Sequence, residues 1–335
     1  MTKPHKRSIT FDTHNPVAYD ILRGKSYSDW VAARSKIMDR YSGKIDAEST
    51  DKCILCGPTE FKDLFKKEGY RFVECKKCDL VQVNPLPFPS VADEFYNAPE
   101  YVEFTQRHMT EKADYRKERF GRERVEIWNE LLRVRPGDPP RRSLDVGCGS
   151  GFVLEAAEEM GWEAYGLDLN QSAIAEANRR GLKAYTEKLE TLTAARFGLF
   201  DVVTMYDVLE HSYSPRAMVI AATELLKQDG LIVIYVPNWN SMARHLLGVD
   251  TFWIWGIFHL TYFTLETLTR LTDECGLETV EYDTQGLDWA DIIWRSENLD
   301  KLDVSRFREN IELLQFSTNS AGLGAGLRLY LRKKI

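Results

Sequence analysis

Four of the six cysteines fall in two C-x2-C pairs, Cys53–Cys56 and Cys75–Cys78, with eighteen residues between the pairs. Thiolates at that spacing can close a tetrahedral shell around Zn2+ and leave no position for water. The first residues, Lys3, His5, Lys6 and Arg7, are not followed by the apolar core of a secretory leader, so the pattern reads as metal rather than disulfides. A closed shell predicts a structural staple for a lobe too small to fold on its own core, not a catalytic or redox centre. The remaining cysteines, Cys148 and Cys275, read as small buried residues with no activating neighbour.

The second stretch with chemical content is Ser143–Leu144–Asp145–Val146–Gly147–Cys148–Gly149–Ser150–Gly151. It predicts a short buried strand and a glycine turn that opens a helix at Phe152–Met160. Glycines let backbone approach a ligand closely, and the helix start offers free N–H groups and a positive dipole end. A dinucleotide turn needs G-x-G-x-x-G, and Phe152 occupies the position of its third glycine. Asp145, two residues before the first glycine, would repel a pyrophosphate and suits a ligand carrying an ammonium. Both facts weigh against an oxidoreductase. Asp168, at the end of the next strand, can accept both hydroxyls of a ribose.

Strand and helix alternate around this turn, which predicts an α/β, doubly wound, mostly parallel sheet with ligands at the carboxyl ends of its strands. Strand Ala164–Leu169 leads to helix Ser172–Arg180. A short strand Lys183–Tyr185 and strand Asp201–Tyr206 follow, then helix Pro215–Lys227. Leu231–Val236 is continuously apolar, as a strand covered on both faces would be. Helix Leu265–Cys275 starts behind Thr264 as N-cap, and strands Leu277–Tyr282 and Leu327–Leu331 flank an insertion of helical character. Ahead of the turn, a helical pattern at Tyr27–Tyr41 sets Trp30, Ala33 and Ile37 on one face, and strands around Tyr70–Val73 and Leu80–Val83 would complete a zinc ribbon. A mixed-charge helix from Glu111 to Arg133 sets Tyr115, Phe120, Ile127, Trp128 and Leu131 inward. Its arginines and glutamates could bind an anion, but they are expected as a solvated face laced by i,i+4 pairs. The expected divisions are an extension at 1–50, a zinc-binding lobe at 51–90, a linker and helical cap at 91–140, and the main domain at 141–335.

Three segments carry the resemblance that names the cofactor: Leu144–Gly151, then Gly166–Leu169, then Asp201–Val202–Val203–Thr204–Met205–Tyr206–Asp207–Val208–Leu209–Glu210–His211. In this order and spacing the chain resembles class I S-adenosylmethionine-dependent methyltransferases, which implies a Rossmann-like, seven-stranded sheet. The resemblance implies cofactor contacts at Asp145, Gly147, Cys148, Gly149, Asp168, Leu169, Leu189 and Tyr206. The Asp207–His211 segment and Phe258–Thr264 are similar to a narrower group that includes ubiquinone-pathway O-methyltransferases. The CxxC lobe running into Leu80–Pro85 is similar to one fused ahead of enzymes acting on nucleotide-linked sugars. Some ubiquinone-type relatives bind Mg2+ through residues that would map to Asp207, Glu210 and His211. Aspartate shortens the reach at the first position, so Mg2+ is the lesser expectation beside structural Zn2+.

A sulfonium methyl is already a strong electrophile, so the protein must supply in-line positioning, a dry pocket and a base. His211 and His259, beyond strand ends, are the candidate bases, with Glu210 beside the first. Anchored or packed histidines are the competing reading. The aromatic segment Phe252–Leu260 could be a lid, an acceptor wall, an oligomer contact or core. The acceptor is expected to be a small molecule, a sugar or nucleotide-sugar. A formal charge of −7, from 44 basic and 51 acidic residues, argues against nucleic acid and anionic membrane. A basic face on the lobe (Lys62, Lys66, Lys67, Arg71, Lys76, Lys77) keeps an RNA methyltransferase open, and a cofactor-binding module without turnover is the other alternative. Thr251–Phe263 is too short to span a bilayer, and a cytoplasmic location is expected. Nothing in the pattern sets an oligomeric state.

Overall fold

The computed structural model describes residues 4–9, 51–96 and 113–334, with isolated positions between those spans. The helix expected around Trp30, Ala33 and Ile37 lies outside the described residues. The first strand, β1 (His5–Lys6), precedes a lobe built from β2 (Lys52–Cys53), β3 (Gly57–Pro58), β4 (Phe61–Lys67), β5 (Tyr70–Cys75) and β6 (Val81–Val83). The main sheet then takes β7 (Arg142–Val146), β8 (Glu163–Leu167), β9 (Lys183–Tyr185), β10 (Phe200–Tyr206) and β11 (Leu226–Pro237). A two-residue strand β12 (Thr261–Tyr262) returns to the lobe, and β13 (Leu277–Gln285) and β14 (Gly326–Lys333) close the chain.

The main sheet runs β9-β8-β7-β10-β11-β14-β13-β1, with β14 antiparallel to both of its neighbours and every other pairing parallel. Strand order reverses between β7 and β10, the switch point at which open α/β sheets bind ligands. The doubly wound fold is therefore as expected, but the sheet has eight strands rather than seven. The open edge of β13 offers unpaired backbone groups, and β1 takes them, with His5 opposite Glu281 and Lys6 opposite Tyr282.

Three local differences have physical causes. The helix expected to reach Lys227 stops at Leu225, because Leu226 already pairs with Phe200 on β10. The long mixed-charge helix is described from Ala113 and ends at Leu131, and residues Lys117–Gly121 form a π turn within it. Among the described residues its charged face shows one i,i+4 ion pair, Glu118–Arg122, rather than the expected lacing. The aromatic segment is mainly core: Trp253, Ile254, Trp255 and Ile257 pack with Tyr70, Phe72, Val81 and Val83 of the lobe. Gly256 is required there, since a Cβ would stand 2.6 Å from Tyr70. Just beyond, Thr261 and Tyr262 pair with Gln82 and Val81, so the lobe's four-stranded sheet is β12-β6-β5-β4.

The mixed-charge helix is fixed over the sheet by one buried cation. Arg328 on β14 is 2% exposed; its guanidinium donates to Asp283 on β13 and to Glu123 on the helix, and the Tyr330 hydroxyl also donates to Asp283. Burial opposes a charged guanidinium, but the two carboxylates raise its pKa well above the ordinary value. Removing one partner of such a set leaves buried charge uncompensated. Arg328→Met is expected to destabilise the fold by roughly 3–5 kcal/mol in denaturant unfolding. A loss under about 1 kcal/mol would show that the network does not hold the helix.

Candidate active site

The glycine turn is held from three sides. The N–H groups of Gly147 and Cys148 both donate to Leu167 O, at 2.7 and 2.9 Å. Gly149 N–H donates to Asp168 Oδ2 and Asn170 N–H to Asp168 Oδ1, each at 2.8 Å. Gly147 (φ +75°) could not be replaced, because a Cβ would stand 2.4 Å from Val208. Asp168 thus closes the turn while each of its oxygens keeps a second lone pair for a ligand hydroxyl. Asp145 is buried on β7, and its Oδ1 accepts from the Thr204 hydroxyl at 2.6 Å. Burial pushes Asp145 up to about 6, against the pull of the Thr204 hydrogen bond and the Arg124 charge. Burial raises Asp168 as well. Burial works against the charged form of both carboxyls, a cost that a cationic ligand beside Asp145 would offset.

The other expected contacts fall around this turn to different degrees. Tyr206, at the end of β10, is buried; its hydroxyl accepts from Trp128 Nε1 at 3.2 Å, and Arg124 stacks 3.7 Å from its ring centroid. Cys148 and Leu189 are buried, whereas Leu169 is exposed beyond β8. Sequence reasoning assigned Thr204 and Arg124 no role in the site and placed Trp128 only as an inward-facing residue of its helix. Alternation along β10 gave a signal for Thr204, but Arg124 and Trp128 lie on a helix whose distance from the turn no local pattern reveals.

The structure brings Glu210, His211 and His259 together and leaves Asp207 outside the group. The Nε2 atoms of His211 and His259 lie 3.7 and 4.0 Å from Glu210 Oε1. Each imidazole is oriented from behind: Nδ1 of His211 bonds Phe258 O and Nδ1 of His259 bonds Trp253 O, both at 2.7 Å. With Nδ1 donating to a carbonyl, Nε2 is left as acceptor. Burial lowers His211 to about 4 and His259 well below its ordinary value, and burial together with the Asp207 charge raises Glu210. Burial thus works against the charged form of all three groups. Glu210 is fully buried with no hydrogen-bond partner on either oxygen.

The donor set does not fit the Mg2+ expectation. Two imidazole nitrogens and one carboxylate are a borderline set, and Mg2+ prefers oxygen ligands. Asp207, the residue that would supply the second carboxylate, faces the neighbouring cavity with a left-handed backbone at φ +56°. That cavity, of about 770 Å3, is lined by Asp207, Tyr235, Phe252, Trp253 and His259 on one side and by the arginine-rich helix on the other. Of the two histidines, His259 reaches it and His211 stands behind. The aromatic segment thus supplies part of a wall as well as core.

In the lobe the four expected cysteines converge. Sγ atoms of Cys53 and Cys78 are 3.6 Å apart, those of Cys56 and Cys75 are 3.5 Å apart, and all four lie within 4.8 Å of one another. Zn–S bonds of about 2.3 Å imply tetrahedron edges of roughly 3.8 Å, so the residues fit a zinc ion. Lys77 N–H points at Cys75 Sγ at 3.4 Å. Burial raises the Cys75 thiol, but backbone N–H groups of Lys77 and Cys78 outweigh it and hold the thiol at about 7. Four of the six residues of the basic face considered above are compensated or shifted, and Lys66 and Lys77 are exposed with no ion pair among the described residues. Lys62, Arg71 and Lys76 pair with Glu74, Asp63 and Glu60, and burial brings Lys67 down to about 8.

A family model described as a methyltransferase domain matches residues 114–282, half of the chain. The chain belongs to the methyltransferase-domain family. Its methyltransferase domain is 32% identical over 156 residues to a ubiquinone biosynthesis O-methyltransferase of Idiomarina loihiensis, covering 42% of this chain and 63% of that one. A protein of the same name from Methylococcus capsulatus is 36% identical over 115 residues, covering 32% and 48%. The chain thus spans about half to three fifths of the length of these relatives. Among solved structures, magnesium protoporphyrin IX methyltransferase from Synechocystis, with bound S-adenosylhomocysteine, aligns at TM-score 0.48 and 14% identity, covering 73% of this chain and 99% of that one. A methyltransferase from Archaeoglobus fulgidus aligns at 0.47 and 19%, covering 70% and 100%. Among the described residues no helix is long and apolar enough to cross a membrane.

The purified chain is expected to carry about one zinc per molecule by atomic absorption, as a closed four-thiolate shell takes one ion. Cys75→Ser is expected to abolish it and lower the melting temperature. A Cys75→Ser protein that melts unchanged would remove the staple reading.

Proposed function

We propose that this chain transfers the methyl group of S-adenosylmethionine to a small-molecule acceptor, a sugar or nucleotide-linked sugar. The observation that carries the cofactor is the pairing of buried Asp145 with a glycine turn closed by Asp168. In this reading Asp145 and the backbone of Gly147, Cys148 and Gly149 face the methionine end, with its ammonium. Asp168 takes the ribose hydroxyls, Leu169 and Leu189 flank the adenine, and Tyr206 borders the cofactor from the end of β10. The relatives named for ubiquinone O-methylation support methyl transfer to an oxygen. A cavity of about 770 Å3, walled by Trp253 and Phe252 and crossed by charged groups, suits a polar ring system.

The bound cofactor supplies an activated methyl, and the remaining work is positioning and proton removal. His259 is the base in this reading: the residue lines the cavity, and with Nδ1–H committed to Trp253 O its Nε2 is the nitrogen left to receive the acceptor proton. The carboxyl of Glu210, with Oε1 4.0 Å from His259 Nε2, is the group whose ionised form would offset the imidazolium charge. The zinc lobe stays structural. Its thiols suit a reducing compartment, which favours the cytoplasm. The paired basic residues of the lobe argue against an RNA substrate.

Labelled S-adenosylmethionine incubated with the enzyme and a source extract is expected to mark a sugar-containing small molecule; label in RNA would overturn the acceptor class. Asp168→Ala is expected to weaken S-adenosylhomocysteine binding by well over about tenfold in calorimetry, the scale of losing a charge-assisted contact to two hydroxyls. Unchanged affinity would sink the cofactor assignment. Asp145 also sets a pH dependence. Its folded pKa, about 6, is raised, so the carboxylate that attracts an ammonium appears only as pH rises through 6. Cofactor affinity should therefore rise between about pH 5 and 7, and Asp145→Asn should flatten that rise. The same sign makes the ligand-free fold lose stability as pH rises from the ordinary carboxylate value of 3.8 to about 6, because the native state binds the extra proton there.

A further inference from the structure

Four of the arginines around the cavity face carboxylates: Arg7 with Glu130 and Glu281, Arg23 with Asp291, Arg122 with Glu118 and Glu159, Arg328 with Glu123 and Asp283. Arg116 and Arg124 line the same cavity and have no ion pair among the described residues. Their contacts are aromatic. The Arg116 guanidinium lies 4.7 Å from the ring centroid of Phe152, and that of Arg124 lies 5.4 Å from Phe152 and 3.7 Å from Tyr206. Eight residues of regular α-helix would leave the two about 80° apart around the axis. The π turn at Lys117–Gly121, with its wider i→i+5 repeat, takes up that offset, and both reach one ring.

Asp207 is the acid whose field reaches both guanidiniums, and the charge of Arg124 is also felt by Asp145 and Glu123, which leaves Arg116 the less compensated of the two. Burial lowers Arg116 to about 10, which still leaves it charged at neutral pH. Stacking on an aromatic face leaves the N–H edge of a guanidinium free to bind an anion. The cofactor cannot satisfy both. It brings one carboxylate but also an ammonium and a sulfonium, so its arrival adds positive charge. Arg124, whose field reaches Asp145, stands nearer the methionine end.

We propose that Arg116 is the anchor for an oxyanion carried by the methyl acceptor, a phosphoryl or carboxylate group, and that Arg124 serves the carboxylate of the cofactor. This rests on the methyl-transfer reading and narrows its acceptor to an anionic molecule. The anion docks on the Arg116 guanidinium, and the nucleophile is then presented to His259, which lines the same cavity.

The test uses the full chain saturated with S-adenosylhomocysteine, titrated in calorimetry with inorganic pyrophosphate and, separately, malonate. Binding of pyrophosphate alone assigns a phosphoryl group, and binding of malonate alone assigns a carboxylate. Arg116→Gln is expected to weaken the anion that binds by about tenfold or more, as for loss of a charge-assisted bidentate contact, with S-adenosylhomocysteine affinity held within about threefold. Arg124→Gln is expected to weaken S-adenosylhomocysteine instead. The proposal is overturned if neither anion binds the wild-type chain, if Arg116→Gln binds it equally, or if Arg116→Gln costs as much cofactor affinity as Arg124→Gln. Should Arg116→Gln fail to fold, Arg116→Lys keeps the charge without the planar fork, and unchanged pyrophosphate and malonate binding in it would equally overturn the anchor. Failure to bind S-adenosylhomocysteine at all would instead refute the cofactor reading.

Discussion

A buried guanidinium holds together parts of this chain that are far apart in sequence. Arg328 sits on the last strand, and its two carboxylate partners come from β13 and from the helix that precedes the glycine turn. Ion pairs this deep contribute little net stability, since desolvation cancels most of the attraction. What they supply is position, because a misplaced helix would strand three charges away from water. That helix carries Arg124 and Trp128 onto Tyr206, and so sets the distance between the cavity's cationic wall and the carboxyl ends of the parallel strands.

The opposite wall is set by a different device. Leu260 N–H donates to Glu210 O at 2.8 Å, and His211 and His259 each bond a carbonyl of the aromatic segment. These bonds bind the loop after β10 to a segment some fifty residues later and fix which imidazole nitrogen faces inward. Between the two rings lies the Glu210 carboxyl, buried and without a hydrogen-bond partner on either oxygen.

The doubly wound sheet and the cofactor turn could be read from local pattern, because both are short-range: glycines at set spacing, an acid inside a strand, apolar runs of strand length. Asp145, Gly147 and Asp168 are within one βαβ unit, and the four thiolates within one lobe. What escaped was set by tertiary placement. The charged helix was expected to be a solvated face, yet Glu123 turns to Arg328 and Arg116 turns into the cavity. Asp207 and Glu210 are three residues apart but point to different compartments, since the positive φ at Asp207 turns the chain there. The eighth strand was hidden too, because two residues carry no periodicity.

The pairing of β12 with β6 has a consequence for how the chain is made. The thiolate knuckles are complete once Cys78 has left the ribosome, but the lobe's sheet lacks its outer strand until Thr261 and Tyr262 follow. In the interval Tyr70, Phe72, Val81 and Val83 have no Trp255 or Tyr262 to cover them. The lobe is first to begin and among the last to finish, and most of the doubly wound domain is synthesised while its apolar face stays open. Metal capture and final docking are thus separate events in time, the first local and early, the second waiting on a long-range contact.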